Sequence, residues 1–219
     1  MNINIAIDGP SAAGKSTIAR KLAKRLNYRY LDTGAMYRCV ALKATSENID
    51  IQDEESLLLM LKGTVIDFVK QDVFLDGVDV SKEIRTNNIS SLASDVSRLK
   101  EIRADMVKRQ QDIAAKEAGI IMEGRDIGSV VMPNAQLKIF LVASPEVRAK
   151  RRYKELLSKD LPSDYLEILK AVQARDLQDS TRTNSPLIKC DDAIEVDTSN
   201  LSIKQVCEEI YFLAKERGA

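Results

Sequence analysis

The stretch GPSAAGKS, residues 9–16, decides the fold, because it matches the pattern G-x-x-x-x-G-K-[ST]. Isoleucine occupies every second position over residues 3–7 just before it, and this run ends at Asp8. Such alternation predicts a β-strand. After the loop, residues 15–26 carry apolar side chains at helical spacing, which predicts an amphipathic helix. A glycine-rich loop between a strand and a helix is the setting in which this pattern cradles phosphate groups.

The loop therefore predicts a binding site for a nucleoside triphosphate. Its glycines permit backbone conformations in which the loop N–H groups point inward at an anion, and the following helix adds the positive end of its dipole. Lys15 is placed to reach the β- and γ-phosphates, and the Ser16 hydroxyl can ligate Mg²⁺. The expected nucleotide-binding residues are Gly9, Pro10, Ser11, Ala12, Ala13, Gly14, Lys15, Ser16 and Thr17.

The composition limits the possible functions. The chain has 219 residues, of which 44% are hydrophobic and 30% charged, enough for one domain with a sizeable core. Lys plus Arg and Asp plus Glu number 33 each, so the net charge is zero and a general nucleic-acid-binding surface is not expected. The sequence contains no histidine, which excludes Ser-His-Asp triads, zinc sites with histidine ligands and imidazole acid–base catalysis.

The cysteines and the apolar runs indicate a cellular location. Cys39, Cys190 and Cys207 show no C-x-x-C spacing and are expected to be buried, reduced thiols, as in a reducing compartment. The longest apolar runs are far shorter than the ~20 residues of a membrane span. The first ten residues lack the basic and apolar regions of a signal peptide. We therefore expect a cytoplasmic protein that has no membrane partner.

Short apolar runs alternate with helical periods along the chain. Further buried strands are predicted at residues 119–123, 137–143 and 193–197. Strands that alternate with helices imply right-handed crossovers and a parallel sheet with both faces covered. The predicted fold class is α/β: a P-loop three-layer fold, with a central parallel sheet and helices on both faces, in a single domain over residues 1–219.

Two segments depart from this alternation. Asp76-Gly77 between apolar runs is a strong hairpin signal, and it places a small inserted antiparallel β lobe at about residues 62–86. This lobe is either decoration or a substrate-binding lobe that caps a site. An arginine-rich helix leads into a candidate short lid at about residues 151–165. Within it, Arg151 is either a γ-phosphate contact or a solvated helix charge.

The rest of the chain separates the classes of protein that share such a loop. A GTPase would carry NKxD and DxxG segments, which the sequence lacks. A small kinase needs a second anion site for its acceptor, and three segments rich in arginine and aspartate are candidates. They are DTGAMYR at residues 32–38, EGRDIG at 123–128 and ARDLQDSTR at 174–182. The second follows a strand, and the carboxyl ends of parallel strands face the ligand crevice.

The segments GPSAAGKST, YLDTGAMYR, EGRDIGSVVMP and ARDLQDSTRTNSPL occur in an order and spacing that resemble bacterial-type cytidylate kinase, a P-loop nucleoside monophosphate kinase family. The resemblance covers nearly the whole chain. It implies an ATP-dependent (d)CMP kinase that uses Mg²⁺ and converts CMP or dCMP with ATP into CDP or dCDP and ADP. We expect a monomer whose partners are these small molecules. Two alternatives stay open: a P-loop kinase for another small molecule, and a non-catalytic nucleotide-binding module.

The resemblance also implies which residues hold the acceptor phosphate. Thr33, Tyr37 and Arg38 fall where the family holds the monophosphate. Arg125 and Arg182 look like two further guanidinium arms on that phosphate. Arginine suits this role because its planar fork grips phosphate through two hydrogen bonds and stays charged.

The base and the sugar of the acceptor are assigned in the same way. Asp126, Ser94 and Arg103 fall at the positions that read cytosine. Arg175 and Asp179 resemble the residues that contact the sugar and orient the acceptor. Glu123 stands where many relatives have aspartate, which leaves it an indirect role with Mg²⁺ or water. The expected catalytic residues are Lys15, Arg125, Arg175 and Arg182.

Overall fold

The computed structural model describes residues 2–70, 72–158 and 160–219. In chain order its strands and helices are β1 (Ile5–Asp8), α1 (Lys15–Leu26), β2 (Arg29–Asp32), α2 (Thr33–Ser46), α3 (Glu54–Lys62), β3 (Ile66–Val69), β4 (Asp72–Leu75), β5 (Val78–Asp79), α4 (Asn87–Val96), α5 (Lys100–Ala115), β6 (Ile120–Gly124), β7 (Leu137–Val142), α6 (Pro145–Leu157), α7 (Tyr165–Thr181), β8 (Ile194–Asp197) and α8 (Ile203–Glu216). A short 3₁₀ helix covers Glu83–Arg85 and a π-helical turn covers Ile127–Val131.

The chain divides into two compact units. The first combines Met1–Tyr28 with Ala118–Ala219, and the second is Arg29–Glu117. The inserted lobe predicted at about residues 62–86 lies within the second unit. Gln71 of that lobe and Lys159 of the predicted lid lie outside the described residues.

The first unit is built on parallel strands in the order β6-β1-β7-β8. Ile5 pairs with Ile121 on one side and with Leu137 on the other. Every residue of β1 and of β6 is buried, and because side chains alternate between the faces of a strand, both faces of the sheet are covered. This is why these strands are continuous apolar runs. The predicted α/β fold with a central parallel sheet is confirmed.

The second unit contains a separate antiparallel sheet. Its strands run in the order β3-β4-β5, and Ile66 pairs with Leu75. Asp76 and Gly77 connect β4 to β5 with φ values of 50° and 83°, the positive pair that a tight hairpin turn requires. The small antiparallel sheet is therefore confirmed.

Helix starts in the first unit use side-chain caps. Ser144 accepts a hydrogen bond from the Val147 amide at the start of α6, and Ser202 forms a reciprocal capping box with Gln205 at the start of α8. Within the described part of the chain, no helix combines the length and the apolar character needed to cross a membrane.

The cysteines match the expectation only in part. All three are free thiols, and Cys39 and Cys207 are buried. Cys190 is half-buried, so the expectation of full burial is wrong there. Its segment between α7 and β8 has no regular structure that would cover it.

Candidate functional site

The glycine-rich loop has the geometry of a phosphate cradle. Gly9 and Gly14 adopt φ values of 146° and 99°, which side chains other than hydrogen resist. A Cβ atom on Gly9 would lie 2.1 Å from the carbonyl oxygen of Leu141 in the neighbouring strand. The loop can therefore pass this close to β7 only with glycine at position 9, and α1 begins directly after Gly14.

The far side of the loop is held by Thr198 and Arg151. The Thr198 hydroxyl donates to the Ala13 carbonyl at 3.1 Å. Arg151 donates to the hydroxyl and the carbonyl oxygen of Thr198, at 3.0 and 2.5 Å. Its guanidinium is thus neither fully solvated nor free: it is bonded to the segment that supports the loop.

Lys15 is buried in the loop, with its Nζ donating to the Pro10 carbonyl at 2.8 Å. Burial, followed by repulsion from Arg125, lowers the pKa of Lys15 to about 7. Glu123, Asp8 and Asp179 act in the opposite direction and keep the pKa from falling further. Glu123 is itself buried at the end of β6. The buried amine therefore lies among charges of both signs.

Arg125 forms an ion pair with Asp179 beside this lysine. The Arg125 Nε to Asp179 Oδ2 distance is 2.7 Å, and the Nε of Arg175 lies 4.0 Å from the same oxygen. Burial raises the pKa of Asp179, but Arg125, Arg175 and Arg182 together outweigh it and leave that pKa below its usual value. Residues 175 and 179 are about one helical turn apart on α7, so both side chains lie on the same face of this helix.

A second, looser pair lies next to the first. Arg182 Nη2 is 4.0 Å from Asp126 Oδ2, and both side chains are buried. Arg182 is also fixed by its Nε, which donates to the Ser185 carbonyl at 2.6 Å. The first unit therefore brings together the predicted residues Lys15, Arg125, Asp126, Arg175, Asp179 and Arg182 with the phosphate loop.

Asp8 is a residue that the sequence reasoning did not assign. Its carboxylate accepts hydrogen bonds from the amides of Ile127 and Gly128 at 2.9 and 2.7 Å. Burial raises the pKa of Asp8 to about 6, and the charge of Asp126 adds to the rise. Asp8 thus ties the turn after Arg125 and Asp126 to the strand that enters the loop. Its position directly before the loop, at the carboxyl end of a buried strand, is the signal that could have identified it.

The second unit holds the other predicted acceptor residues. Arg38 Nη2 lies 2.6 Å from Asp32 Oδ2, and Arg85 lies 3.9 Å from the same oxygen. Asp32 also caps α2 by accepting from the Ala35 amide. Burial raises the pKa of Asp32, but Arg38 and Arg85 outweigh it and leave that pKa lowered. Thr33 follows Asp32 in the sequence, is the first residue of α2 and is buried.

The remaining residues of this group lie on α2, α4 and α5. The Arg103 guanidinium carbon is 5.2 Å from the ring centroid of Tyr37, within the range of a cation–π contact. Arg103 also donates from Nε to the Ser97 carbonyl at 2.8 Å, and Ser94 is buried on α4. Tyr37, Ser94 and Arg103 thus all lie in the second unit.

The parallel sheet and the phosphate cradle define a P-loop nucleotide-binding protein. The family model for cytidylate kinase matches residues 5–216, and the chain belongs to that family. The cytidylate kinase of Bacillus subtilis (strain 168) is 48% identical over 220 residues, covering 99% of this chain and 98% of that protein. The cytidylate kinase of Caldicellulosiruptor saccharolyticus is 50% identical over 212 residues, covering 95% and 93%.

Solved structures agree with this fold. A gluconokinase from Sinorhizobium meliloti 1021 superposes with a TM-score of 0.51 at 13% identity, covering 97% of this chain and 91% of that one. An uncharacterized protein from Eubacterium ventriosum superposes with a TM-score of 0.53, also at 13% identity, covering 98% and 99%. At such low identity the likeness concerns the fold alone. The predicted family membership is confirmed by the sequence relatives.

Proposed function

We propose that this chain is a nucleoside monophosphate kinase that transfers the γ-phosphoryl group of ATP to the 5′-phosphate of CMP, and of dCMP, giving CDP or dCDP and ADP. Membership of the cytidylate kinase family supports the choice of acceptor. The observation that carries the chemistry is the cationic group beside the phosphate loop, in which buried Lys15 lies with the half-buried residues Arg125 and Arg182. Such a group is suited to two polyanions that must approach each other.

The chemistry requires no general base. A phosphate monoester has a second pKa of about 6, so the attacking oxygen is already anionic near neutral pH. This fits a chain without histidine. The obstacle is charge repulsion, because two unit charges 4 Å apart repel by about 4 kcal/mol at an effective dielectric constant near 20. Fixed cationic side chains offset this repulsion and stabilise the phosphoryl group in the transition state.

The binding roles in this proposal rest on family membership and on the chemistry of the side chains. Lys15 and the loop amides hold the β- and γ-phosphates of ATP. Thr33, Tyr37 and Arg38 hold the monophosphate, together with Arg125 and Arg182. Because Asp32 pairs with Arg38 and Asp179 pairs with Arg125, these guanidinium groups are already oriented without substrate. Preorganised donors cost less to align when the reaction occurs.

Mg²⁺ fits this site through the Ser16 hydroxyl. Mg²⁺ keeps several waters and takes phosphate oxygens rather than an all-protein cage, so one protein oxygen suffices. The ion would neutralise charge on the β- and γ-phosphates of ATP.

Cytosine recognition is assigned to Asp126, Arg103 and Ser94. Cytosine presents an amine donor next to the N3 and O2 acceptors, which a carboxylate and a guanidinium complement. Uracil would place a carbonyl against the carboxylate and an N–H against the guanidinium. Unpaired buried groups of this kind are strongly disfavoured, so the site would select cytosine. Arg175 and Asp179 contact the sugar in this proposal.

The proposal extends to the moving parts and the setting of the enzyme. The lobe at about residues 62–86 helps to bind the acceptor, and the segment at about residues 151–165 acts as a lid that excludes water. The protein acts as a cytoplasmic monomer without nucleic acid. Free thiols are typical of the reducing cytoplasm, and a net charge of zero argues against a general nucleic-acid-binding surface.

A coupled assay of ADP release tests the function. ATP and Mg²⁺ are supplied with CMP, dCMP, UMP, AMP or a sugar in turn, and the products are separated by anion exchange. We expect ADP release that depends on CMP or dCMP, with CDP or dCDP formed in equal amount. ADP release with another acceptor alone would indicate a different kinase. ATP binding without consumption in the presence of CMP would indicate a non-catalytic module.

A further inference from the structure

Arg148 is a fully buried guanidinium outside the set of residues assigned above. Its side chain is only 3% exposed, and it lies on α6. The Nε atom donates to the Ala143 carbonyl at 2.8 Å, where β7 gives way to α6. The Nη1 atom donates to the Ser11 carbonyl at 3.2 Å, inside the phosphate loop.

The same guanidinium grips Asp176 on α7 with two parallel hydrogen bonds. Nη1 and Nη2 lie 2.9 and 2.5 Å from the two carboxylate oxygens of Asp176. This fork-to-fork geometry fixes both distance and orientation. Arg148 thus connects three segments: the end of β7, the phosphate loop and α7.

The two ends of this connection are parts of the candidate active site. Ser11 belongs to the loop that cradles the triphosphate. Asp176 follows Arg175 directly and precedes Asp179 by three residues, so one turn of α7 carries all three side chains. Asp179 in turn binds Arg125 at 2.7 Å. Any change in the spacing between α7 and the loop would therefore move the acceptor-side residues relative to the triphosphate.

We propose that the Arg148–Asp176 pair is a positioning device that sets the spacing between the phosphate loop and the face of α7 that carries Arg175 and Asp179. This inference rests on the proposed function, because it assigns the two ends to the donor and the acceptor. Arg148 and Asp176 touch neither substrate. They act through Ser11 and through the residues beside Asp176.

The device requires arginine rather than any cation. Lysine has one nitrogen on a flexible stem, and it cannot donate to Ala143, Ser11 and both oxygens of Asp176 together. Asp176→Asn keeps the shape of the carboxylate but presents an amide donor to one guanidinium nitrogen. Both substitutions therefore loosen the spacing with little change in side-chain size.

The test compares Arg148→Lys, Asp176→Asn and the double variant with the wild-type enzyme. Glu208→Gln is the matched control, because Arg25–Glu208 also joins two helices but lies on the surface, far more exposed than Arg148. Urea unfolding and circular dichroism give the folded fraction, to which all rates are normalised. The kcat and KM values are measured separately for ATP and CMP.

We expect kcat to fall about 10- to 100-fold in each single variant, since a misplacement of about 1 Å can cost about 100-fold in rate. KM for ATP and CMP should change less than kcat, and the double variant should be no slower than the worse single one, because both substitutions break one device. The control should keep the wild-type kcat. Lower stability with normal kcat, or rate losses that multiply in the double variant, would overturn the proposal.

A measurement without substrate separates this inference from the proposed function. In the Asp176→Asn variant, hydrogen exchange should become faster both in the loop at residues 9–16 and in α7 at residues 170–181. In the Glu208→Gln variant it should change in neither segment. If the wild type fails to use CMP, the proposed function is wrong. Hydrogen exchange still measures the coupling between the loop and α7 in that case, because it needs no substrate. Unchanged exchange in the loop would refute the coupling itself. Asp176→Glu provides a milder variant if Asp176→Asn does not fold.

Discussion

The surroundings of Asp8 predict how the free energy of unfolding changes with pH. Burial, reinforced by the charge of Asp126, raises the pKa of this carboxyl from 3.8 to about 6 in the folded protein. The folded state therefore binds its proton more tightly than the unfolded chain does. A shift of this size corresponds to about 3 kcal/mol of free energy of unfolding, which is present when Asp8 is protonated and lost as the pH rises through the window from about 4 to about 6.

Replacement of Asp8 by asparagine isolates this effect. The amide has the same shape but does not titrate, so the difference in free energy of unfolding between wild type and Asp8→Asn follows the charge on Asp8 alone. The wild type should gain about 2 kcal/mol relative to the variant between about pH 6.5 and about pH 4.5. This range stays below the pKa of about 7 of the neighbouring Lys15.

The measurement is urea unfolding followed by circular dichroism at several pH values in that range. The absolute stability of Asp8→Asn matters less than how its difference from the wild type changes with pH. A difference that does not change with pH would mean that Asp8 is not held away from water. A wild type that gains relative stability as the pH rises would reverse the sign and refute the reasoning.

Three further outcomes are expected. Lys15→Ala should abolish phosphoryl transfer with an unchanged circular dichroism spectrum, and near-normal turnover would contradict its catalytic role. In the wild type, the pKa of Lys15 is about 7 without ligand, and a bound phosphate raises it. ATP binding near pH 8 should therefore take up close to one proton, which calorimetry in buffers of different ionisation enthalpy would measure. Asp126→Ala should reduce kcat/KM for CMP by about 10- to 100-fold while ATP affinity is retained, and an unchanged preference for CMP over UMP in steady-state kinetics would remove Asp126 from base recognition. Gly9→Ala should prevent normal loop geometry, because the new Cβ would lie 2.1 Å from the Leu141 carbonyl oxygen; thermal unfolding should show clear destabilisation, and wild-type stability with full ATP affinity would disprove the close contact.

Local sequence patterns predicted much of the fold. The loop motif at residues 9–16 predicted where the preceding strand ends and the following helix begins. Asp76-Gly77 predicted the hairpin because both residues tolerate positive φ. The parallel strands were recognisable as continuous apolar runs, since both of their faces are buried. These signals depend on neighbours in sequence, which is why they could be read directly.

Contacts between distant segments could not be read in this way. Asp8 binds amides 119 and 120 residues further along, and nothing in its own neighbourhood indicates those partners. The sequence analysis assigned no role to Arg148, whereas the structure buries it against the loop and α7. The expectation that Cys190 is buried was wrong. Whether a loop residue is buried depends on which distant segments pack over it, and the local sequence does not show this. The binding roles of the individual site residues stay predictions.

The unequal burial of the three thiols has a practical consequence for studying this protein in solution. Burial raises the pKa of all three thiols, that of Cys39 to about 12, so they differ in accessibility, and Cys39 and Cys207 are the two that lie buried. Cys190 is the most accessible of the three. A thiol-directed fluorophore should therefore attach first to the segment that follows α7, without any cysteine having to be removed. The native chain thus offers a preferred labelling position beside α7, at which a change in fluorescence on addition of nucleotide could be measured.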